Sequence, residues 1–195
     1  MKLLRFGNSG EEKPGIIDEK GKIRDLSNVI DDINGNTISP ESLDKLKSLD
    51  VSSLAEVTGN PRIGPCVNEV GKFLCIGLNF SDHAAETGLE PPEEPILFSK
   101  ATSAIIGPND NVEIPRTSTA TDWEVELGVI IGKKAKYISE AEAKNYIAGY
   151  CVVNDVSERD FQIKRSGQWT KGKSCDTFGP IGPYLVTTDE IEDVQ

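Results

Sequence analysis

Residues 122–132 read DWEVELGVIIG, and this stretch decides how the chain is interpreted. Glu124 and Glu126 alternate with apolar residues, and the apolar run continues to Ile131. Such alternation predicts a β-strand, in which side chains i and i+2 project from the same face. The sequence therefore predicts two carboxylates side by side on a strand whose continuation is expected to be buried.

A divalent metal ion is the first explanation for this acidic pair. Two like charges so close together repel each other unless a positive charge lies between them. Mg²⁺ and related hard cations take oxygen ligands, and Asp155, at the end of the apolar run GYCVVND, is a third candidate ligand. The alternative is a half-exposed strand whose glutamates face solvent, because acidic ladders also occur without a metal.

Composition limits the possible functions of the chain. Its 195 residues suit one sizeable domain, or a small subdomain and a larger one. The net charge of −11, with no basic stripe, argues against binding to nucleic acid or to an anionic membrane. The segment MKLLRFG lacks the apolar core of a signal peptide, and no apolar run reaches membrane-spanning length.

The four cysteines show no metal-type or CxxC spacing. They are Cys66, Cys75, Cys151 and Cys175. We expect buried free thiols in a reducing compartment, and hence a cytoplasmic location.

Residues 1–65 are predicted to form a small N-terminal α/β subdomain. MKLLRFG indicates a short strand, and PGIIDEKGKIRDLS indicates a hairpin that turns at Glu19, Lys20 and Gly21. SPESLDKLKSL indicates a helix with Ser39 as N-cap and Pro40 at the first helical position.

Residues 71–195 are predicted to be rich in short strands. The strand-like runs are KFLCIGLN, PILFSK, VELGVII, GYCVVND and GPYLVT, each bounded by turn signals. SEAEAKNYIAG is the clearest helix, with a capping box between Ser139 and Glu142, and VSERDFQIKRSG is either a helix or a turn region. The absence of GxGxxG and of regular strand–helix alternation argues against a doubly wound parallel sheet. The fold class is therefore α+β and strand-rich.

Two other segments carry groups suited to catalysis. His83 and Glu86 lie three residues apart in LNFSDHAAETG, which places them on one face of a short helix and suits a general base oriented by a carboxylate. Arg159, Gln162 and Lys173 could point at one anion. The alternatives are a surface helix on which His83 and Glu86 merely meet, and a solvated charged segment.

Five segments together resemble the fumarylacetoacetate hydrolase superfamily. They are IGLNFSDHAAE, FSKATSAIIGPND, DWEVELGVIIGKKA, GYCVVNDVSERDFQ and WTKGKSCDTFGPIGP, which run from about residue 73 to 183 in the family's order and spacing. The N-terminal residues also resemble the subgroup labelled ureidoglycolate lyase, 2-hydroxyhepta-2,4-diene-1,7-dioate isomerase or 2,4-diketo-3-deoxy sugar acid hydrolase.

The resemblance implies a mixed β-roll, usually dimeric, in which residues 71–195 form the N-terminal part of the catalytic domain. It implies Mg²⁺ or Mn²⁺ held by carboxylates that match Glu124, Glu126 and Asp155. A His-Glu dyad on a lid segment matches His83 and Glu86. Lys173 and, less directly, Arg159 and Gln162 match residues that contact the substrate.

Two departures from the family pattern bear on activity. Phe80 stands where relatives commonly have Tyr, which removes a hydroxyl near the lid. Family members also continue beyond the position of Gln195 with further strands and a Thr-Gly-Thr-Pro-type loop. We therefore expect a C-terminally truncated member with an incomplete roll.

The expected activity is metal-dependent hydrolysis of a C–C bond in a 2,4-diketo acid, which gives pyruvate or a related 2-keto acid. Decarboxylation of an oxaloacetate-like acid and isomerisation of a dienedioate stay open on the same scaffold, and so does an inactive metal-binding fragment. The expected partner is a small keto acid and, with the full domain, a second copy of the chain. The sequence does not choose the substrate.

Overall fold

The structure is a computed structural model that describes residues 1–80 and 92–191. Within them, seven strands form one sheet in the order β3-β2-β1-β11-β9-β8, with β6 beside β11, and β7–β10 and β4–β5 form two small sheets. The strands are β1 (Lys2–Phe6), β2 (Lys13–Ile17), β3 (Ile23–Asp25), β4 (Phe73–Gly77), β5 (Ile96–Lys100), β6 (Ile105–Ile106), β7 (Thr121–Asp122), β8 (Val125–Ile131), β9 (Ile147–Asn154), β10 (Ser157–Glu158) and β11 (Gly179–Thr187). This strand-rich α+β architecture confirms the predicted fold class.

The helical elements of the described residues are short. They are α1 (Pro40–Lys47), α2 (Glu140–Ala143) and α3 (Thr170–Lys173), four 3₁₀ turns (Val51–Ser53, Thr102–Ala104, Lys144–Tyr146 and Thr188–Glu190) and a π-helical turn (Asp160–Lys164). The π-helical turn lies in the segment for which the sequence left helix and turn open. No helix within residues 1–80 and 92–191 is long and apolar enough to cross a membrane.

Local sequence signals correctly predicted the β2–β3 hairpin and the starts of α1 and α2. The β2–β3 hairpin closes with the Gly21 amide donating to the Asp18 carbonyl at 2.9 Å. Helix α1 begins at Pro40, and the Ser39 hydroxyl accepts from the Ser42 amide at 3.2 Å. At α2 the predicted capping box is present, with the Ser139 amide donating to Glu142 at 3.0 Å.

Strand β11 joins the N-terminal residues to the remainder of the sheet. It pairs antiparallel with β1, where Lys2 lies opposite Val186, and also with β9, where Ile181 lies opposite Val153. One sheet therefore runs across the predicted boundary between residues 65 and 71, and the division into two units stays a prediction.

The hydrophobic core lies between this sheet and the N-terminal helix and loops. Its buried members include Leu3, Ile16, Leu26, Ile33, Ile38, Leu43, Leu46, Cys66, Cys151 and Leu185. The four cysteines are free thiols. Cys66 and Cys151 are buried as expected, whereas Cys75 and Cys175 are only partly buried, so the burial prediction was wrong for those two.

The burial expected for the two faces of β8 was wrong. Its apolar face is exposed, since Trp123 keeps 72% and Val125 68% of their accessible surface, and the face that carries Glu124 and Glu126 is partly buried. Val152, opposite Leu127 on β9, extends the exposed apolar face. No element within the described residues covers that face, since Leu127, Val129 and Val152 also keep between 46% and 54% of their accessible surface.

Candidate active site

Two of the predicted polar residues meet at one end of the β8–β9 strand pair. Glu124 immediately precedes β8, and Asp155 immediately follows the neighbouring strand β9. The two backbones meet there, because the Asp155 amide donates to the Glu124 carbonyl at 2.9 Å. Register between β8 and β9 therefore places the two carboxylates at one end of the sheet.

Lys173 joins these two carboxylates. Its ammonium donates to Glu124 Oε1 at 2.8 Å and to Asp155 Oδ2 at 2.6 Å. The ammonium also lies 5.1 Å from the centroid of the Phe98 ring, close enough for a cation–π contact. Lys173 and Asp155 are both buried, so these ion pairs are shielded from solvent.

A second buried lysine, Lys100, holds the other oxygen of Asp155. Its ammonium donates to Asp155 Oδ1 at 2.6 Å and to the Val156 carbonyl at 3.0 Å. Burial lowers the pKa of Lys100 below its ordinary value, although the neighbouring Asp155 carboxylate acts in the opposite direction. Each carboxylate oxygen of Asp155 therefore accepts a hydrogen bond from one lysine.

Glu124 has cationic and hydroxyl partners of its own. Arg159 Nη2 lies 2.7 Å from Glu124 Oε1, and the Ser157 hydroxyl donates to the same oxygen at 2.8 Å. Burial alone would raise the pKa of Glu124, but hydrogen bonding and charge from Lys173, with smaller contributions from Ser157 and Arg159, bring it below its ordinary value. The Glu124 carboxylate is therefore held ionised.

Arg159 and Gln162, two of the residues that the sequence singled out, lie beside this cluster. Arg159 Nη1 donates to Gln162 Oε1 at 3.2 Å, and its Nη2 donates to Asp122 Oδ2 at 2.9 Å. Gln162 is buried within the π-helical turn. These contacts fix the guanidinium at the edge of the carboxylate cluster.

Gly172 allows α3 to approach the π-helical turn closely. A Cβ atom at this position would lie 2.4 Å from the Glu158 carbonyl oxygen and 2.6 Å from the Gln162 amide nitrogen, which no side chain can accommodate without movement. The buried Glu158 carboxylate fixes the other side of the turn, because it accepts from the Ala120 amide at 3.2 Å and the Asp160 amide at 3.1 Å. This packing brings Lys173 to the site.

Glu126 shares the partly buried face of β8 with Glu124 and lies opposite Val153. Burial is the main reason that the pKa of the Cys75 thiol rises to about 12, and the charges of Asp155 and Glu126 add to it. Both carboxylates therefore lie near this thiol.

The three candidate ligands do not form a ready-made metal cage. Across residues 1–80 and 92–191, no group of three or more His, Cys, Asp and Glu side chains is arranged to hold a metal ion. The donor chemistry nevertheless fits a hard divalent cation, since Glu124 and Asp155 direct carboxylate oxygens at one point and Glu126 projects from the same strand face. In this structure, the Lys173 ammonium occupies the position between the Glu124 and Asp155 carboxylates.

The structure brings together five of the eight residues that the sequence singled out: Glu124, Asp155, Arg159, Gln162 and Lys173. Glu126 lies nearby, and His83 and Glu86 lie outside the described residues. Sequence reasoning missed Lys100 and Ser157. A lysine at the end of the apolar run PILFSK was a usable signal for Lys100, whereas Ser157 gave none.

A buried cluster of paired carboxylates and cations on a strand-rich α+β scaffold is typical of an enzyme active site. Comparison with known proteins gives the family. Residues 72–195 match the model of the fumarylacetoacetate (FAA) hydrolase C-terminal domain, and the chain belongs to this family.

Named relatives agree with that assignment. A protein of Burkholderia orbicola named "putative hydrolase" is 60% identical over all 195 residues, which span 69% of its own length. Among solved structures, fumarylacetoacetate hydrolase from Exiguobacterium antarcticum is 29% identical with a TM-score of 0.78, over 98% of this chain and 68% of that one. The 5-carboxymethyl-2-hydroxymuconate delta-isomerase from Mycobacterium smegmatis is 29% identical with a TM-score of 0.68, over 96% and 66%.

Proposed function

We propose that the chain catalyses divalent-metal-dependent hydrolysis of a C–C bond in a 2,4-diketo acid, with release of pyruvate or a related 2-keto acid. The observation that carries the proposal is the Lys173 ammonium between Glu124 and Asp155, 2.8 Å and 2.6 Å from their oxygens. It supports the proposal because carboxylate ligands and a cationic donor meet at one buried point.

Glu124, Glu126 and Asp155 are the proposed ligands of Mg²⁺ or Mn²⁺. When bound, such a cation would polarise the keto-acid oxygens and stabilise the negative charge that develops on them. The ammonium of Lys173 would neutralise charge on the substrate. Arg159 would orient the substrate carboxylate, and Gln162 would position the guanidinium by accepting from Nη1 at 3.2 Å.

The general base is proposed from the sequence. His83, oriented by Glu86, would take a proton from the water that attacks the distal carbonyl. Cleavage of the C–C bond then leaves a carboxylic acid and the enolate of the 2-keto acid, which takes the proton held by His83 to give the free 2-keto acid. A cytoplasmic location and a homodimer are proposed with this activity, and the four free thiols support a reducing compartment.

Acetylpyruvate is a suitable probe for this activity. Pyruvate release, coupled to lactate dehydrogenase, is expected with Mn²⁺ and not with EDTA. Glu126→Gln should abolish it, whereas Glu11→Gln, a change at an exposed glutamate, should not. Equal pyruvate release in EDTA would refute the proposal.

Isomerisation is the second candidate function. Its support is the similarity to solved structures named as isomerases, including the 2-hydroxyhepta-2,4-diene-1,7-dioate isomerase from Mycobacterium marinum, at 28% identity and a TM-score of 0.64. Decarboxylation would use the same carboxylates and cations. Assays with a dienedioate and with oxaloacetate, run beside acetylpyruvate, separate the three reactions.

A further inference from the structure

We propose that the Lys173 ammonium and a divalent cation are alternative occupants of the point between Glu124 and Asp155, so that binding of the metal releases Lys173. The inference rests on the metal site of the proposed function. It adds that the lysine is exchanged during metal loading and does not stay in place beside the metal.

The geometry of the two ion pairs is the first argument. Lys173 Nζ lies 2.8 Å from Glu124 Oε1 and 2.6 Å from Asp155 Oδ2. Hard divalent cations also take carboxylate oxygens as ligands, so a cation held at the point where the Lys173 ammonium now lies would require the ammonium to move away. An ammonium has no lone pair to offer a metal, so the two cannot share the point.

The surrounding positive charge is the second argument. Glu124 and Asp155 are paired with Lys100, Arg159 and Lys173, and Arg159 also pairs with Asp122. A divalent cation added between Glu124 and Asp155 would be repelled by each of these three cations at short range. Departure of one lysine relieves part of that repulsion.

The remaining contacts identify Lys173 as the cation that leaves. Lys100 holds Asp155 Oδ1, its side chain is fully buried, and it has the Val156 carbonyl as a second acceptor at 3.0 Å. Arg159 Nη2 lies 2.7 Å from Glu124 Oε1, so Glu124 would still have a cationic partner if Lys173 departed. Both carboxylates thus stay paired, and the freed ammonium becomes available to a substrate anion.

Calorimetric titration with Mn²⁺ alone tests the exchange, because removal of a competing cation must tighten metal binding. We expect Lys173→Met to bind Mn²⁺ at least about tenfold more tightly than the unmodified chain, within the range usual for coupled sites. Lys171→Met, a change at an exposed lysine on the same helix, should leave the affinity unchanged. Equal or weaker binding by Lys173→Met would overturn the inference.

The same titrations separate this inference from the proposed function. If the unmodified chain binds no Mn²⁺, the proposed metal site fails and the exchange fails with it. If it binds Mn²⁺, and Glu126→Gln weakens binding while Lys173→Met does not tighten it, only the exchange fails.

If Lys173→Met does not fold, the exchange can be tested on the unmodified chain. Acetylation of Lys173 by a soluble succinimidyl acetate, followed by mass spectrometry, should become faster when Mn²⁺ is added, with Lys171 in the same sample as reference. A rate that stays the same or falls would overturn the exchange.

Discussion

Lys100→Met tests whether the carboxylate cluster is assembled as described. The lysine side chain is fully buried, and its ammonium has two oxygen partners, Asp155 Oδ1 at 2.6 Å and the Val156 carbonyl at 3.0 Å. Methionine is a long, flexible apolar side chain and fills much of the same space. The substitution therefore removes the charge and both hydrogen bonds with little change in packing.

The expected cost is about 3 kcal/mol, at the lower end of the range of about 3–5 kcal/mol for breaking a buried ion pair. The lower end applies because Lys173 still pairs with Asp155 Oδ2 at 2.6 Å. It applies also because burial lowers the pKa of Lys100, so desolvation already opposes the charged lysine. In a protein of this size, such a loss lowers Tm by about 6–12 °C.

Urea unfolding and thermal melts without added metal measure this loss. Lys20→Met, a change at an exposed lysine, should stay within about 0.5 kcal/mol of the unmodified chain. A loss below about 1 kcal/mol for Lys100→Met would refute the buried pair, since even one buried polar group left unpaired costs more.

Three further predictions concern other parts of the molecule. His83→Ala should reduce turnover, measured by steady-state kinetics, by about 10²–10⁴-fold, and should retain Mn²⁺ binding, measured by calorimetry. Loss of Mn²⁺ binding in this variant would contradict the role of His83 as general base. Gly172→Ala places Cβ 2.4 Å from a backbone oxygen and should cost more than about 2 kcal/mol in urea unfolding, whereas Gly71→Ala meets no atom within 4 Å; equal costs would contradict the close packing. A hydrogen bond from Arg62 lowers the pKa of Asp110 more than burial raises it, so the stability that this pair contributes is complete above about pH 4 and is lost at lower pH. Asp110→Asn should flatten the loss of stability below about pH 4, and unfolding curves of equal pH dependence would refute this.

Local patterns predicted the elements that are stabilised locally. Ser39 and Pro40 indicated the start of α1, and the turn at Gly21 indicated the β2–β3 hairpin. The role of β11 could not be predicted in this way. Its pairing with β1 joins residues about 180 positions apart, and such contacts leave no periodic signal in either segment.

The sequence indicated some members of the candidate site and missed Lys100 and Ser157. Spacing paired Glu124 with Glu126, the end of the GYCVVND run added Asp155, and the register of β8 and β9 brings Glu124 and Asp155 together. The sequence did not indicate that Lys100 and Lys173 would divide the two oxygens of Asp155 between them. Lys100 ends a strand in PILFSK, where a lysine usually faces solvent, and only tertiary packing buries it.

The two buried lysines, Lys100 and Lys173, offer a source of positive charge other than a metal ion for the adjacent carboxylates. Adjacent carboxylates on an apolar strand require positive charge, and a metal ion was the first explanation. Lys100, Lys173 and Arg159 already supply that charge from within the chain, so the carboxylates alone no longer require a metal. What still favours one is that Lys173 bonds an oxygen of each of two carboxylates, as a bridging cation would. The affinity of Lys173→Met for Mn²⁺ decides between these views, because tighter binding means a lysine that yields to metal, whereas no binding by any variant means a salt-bridge cluster that needs none.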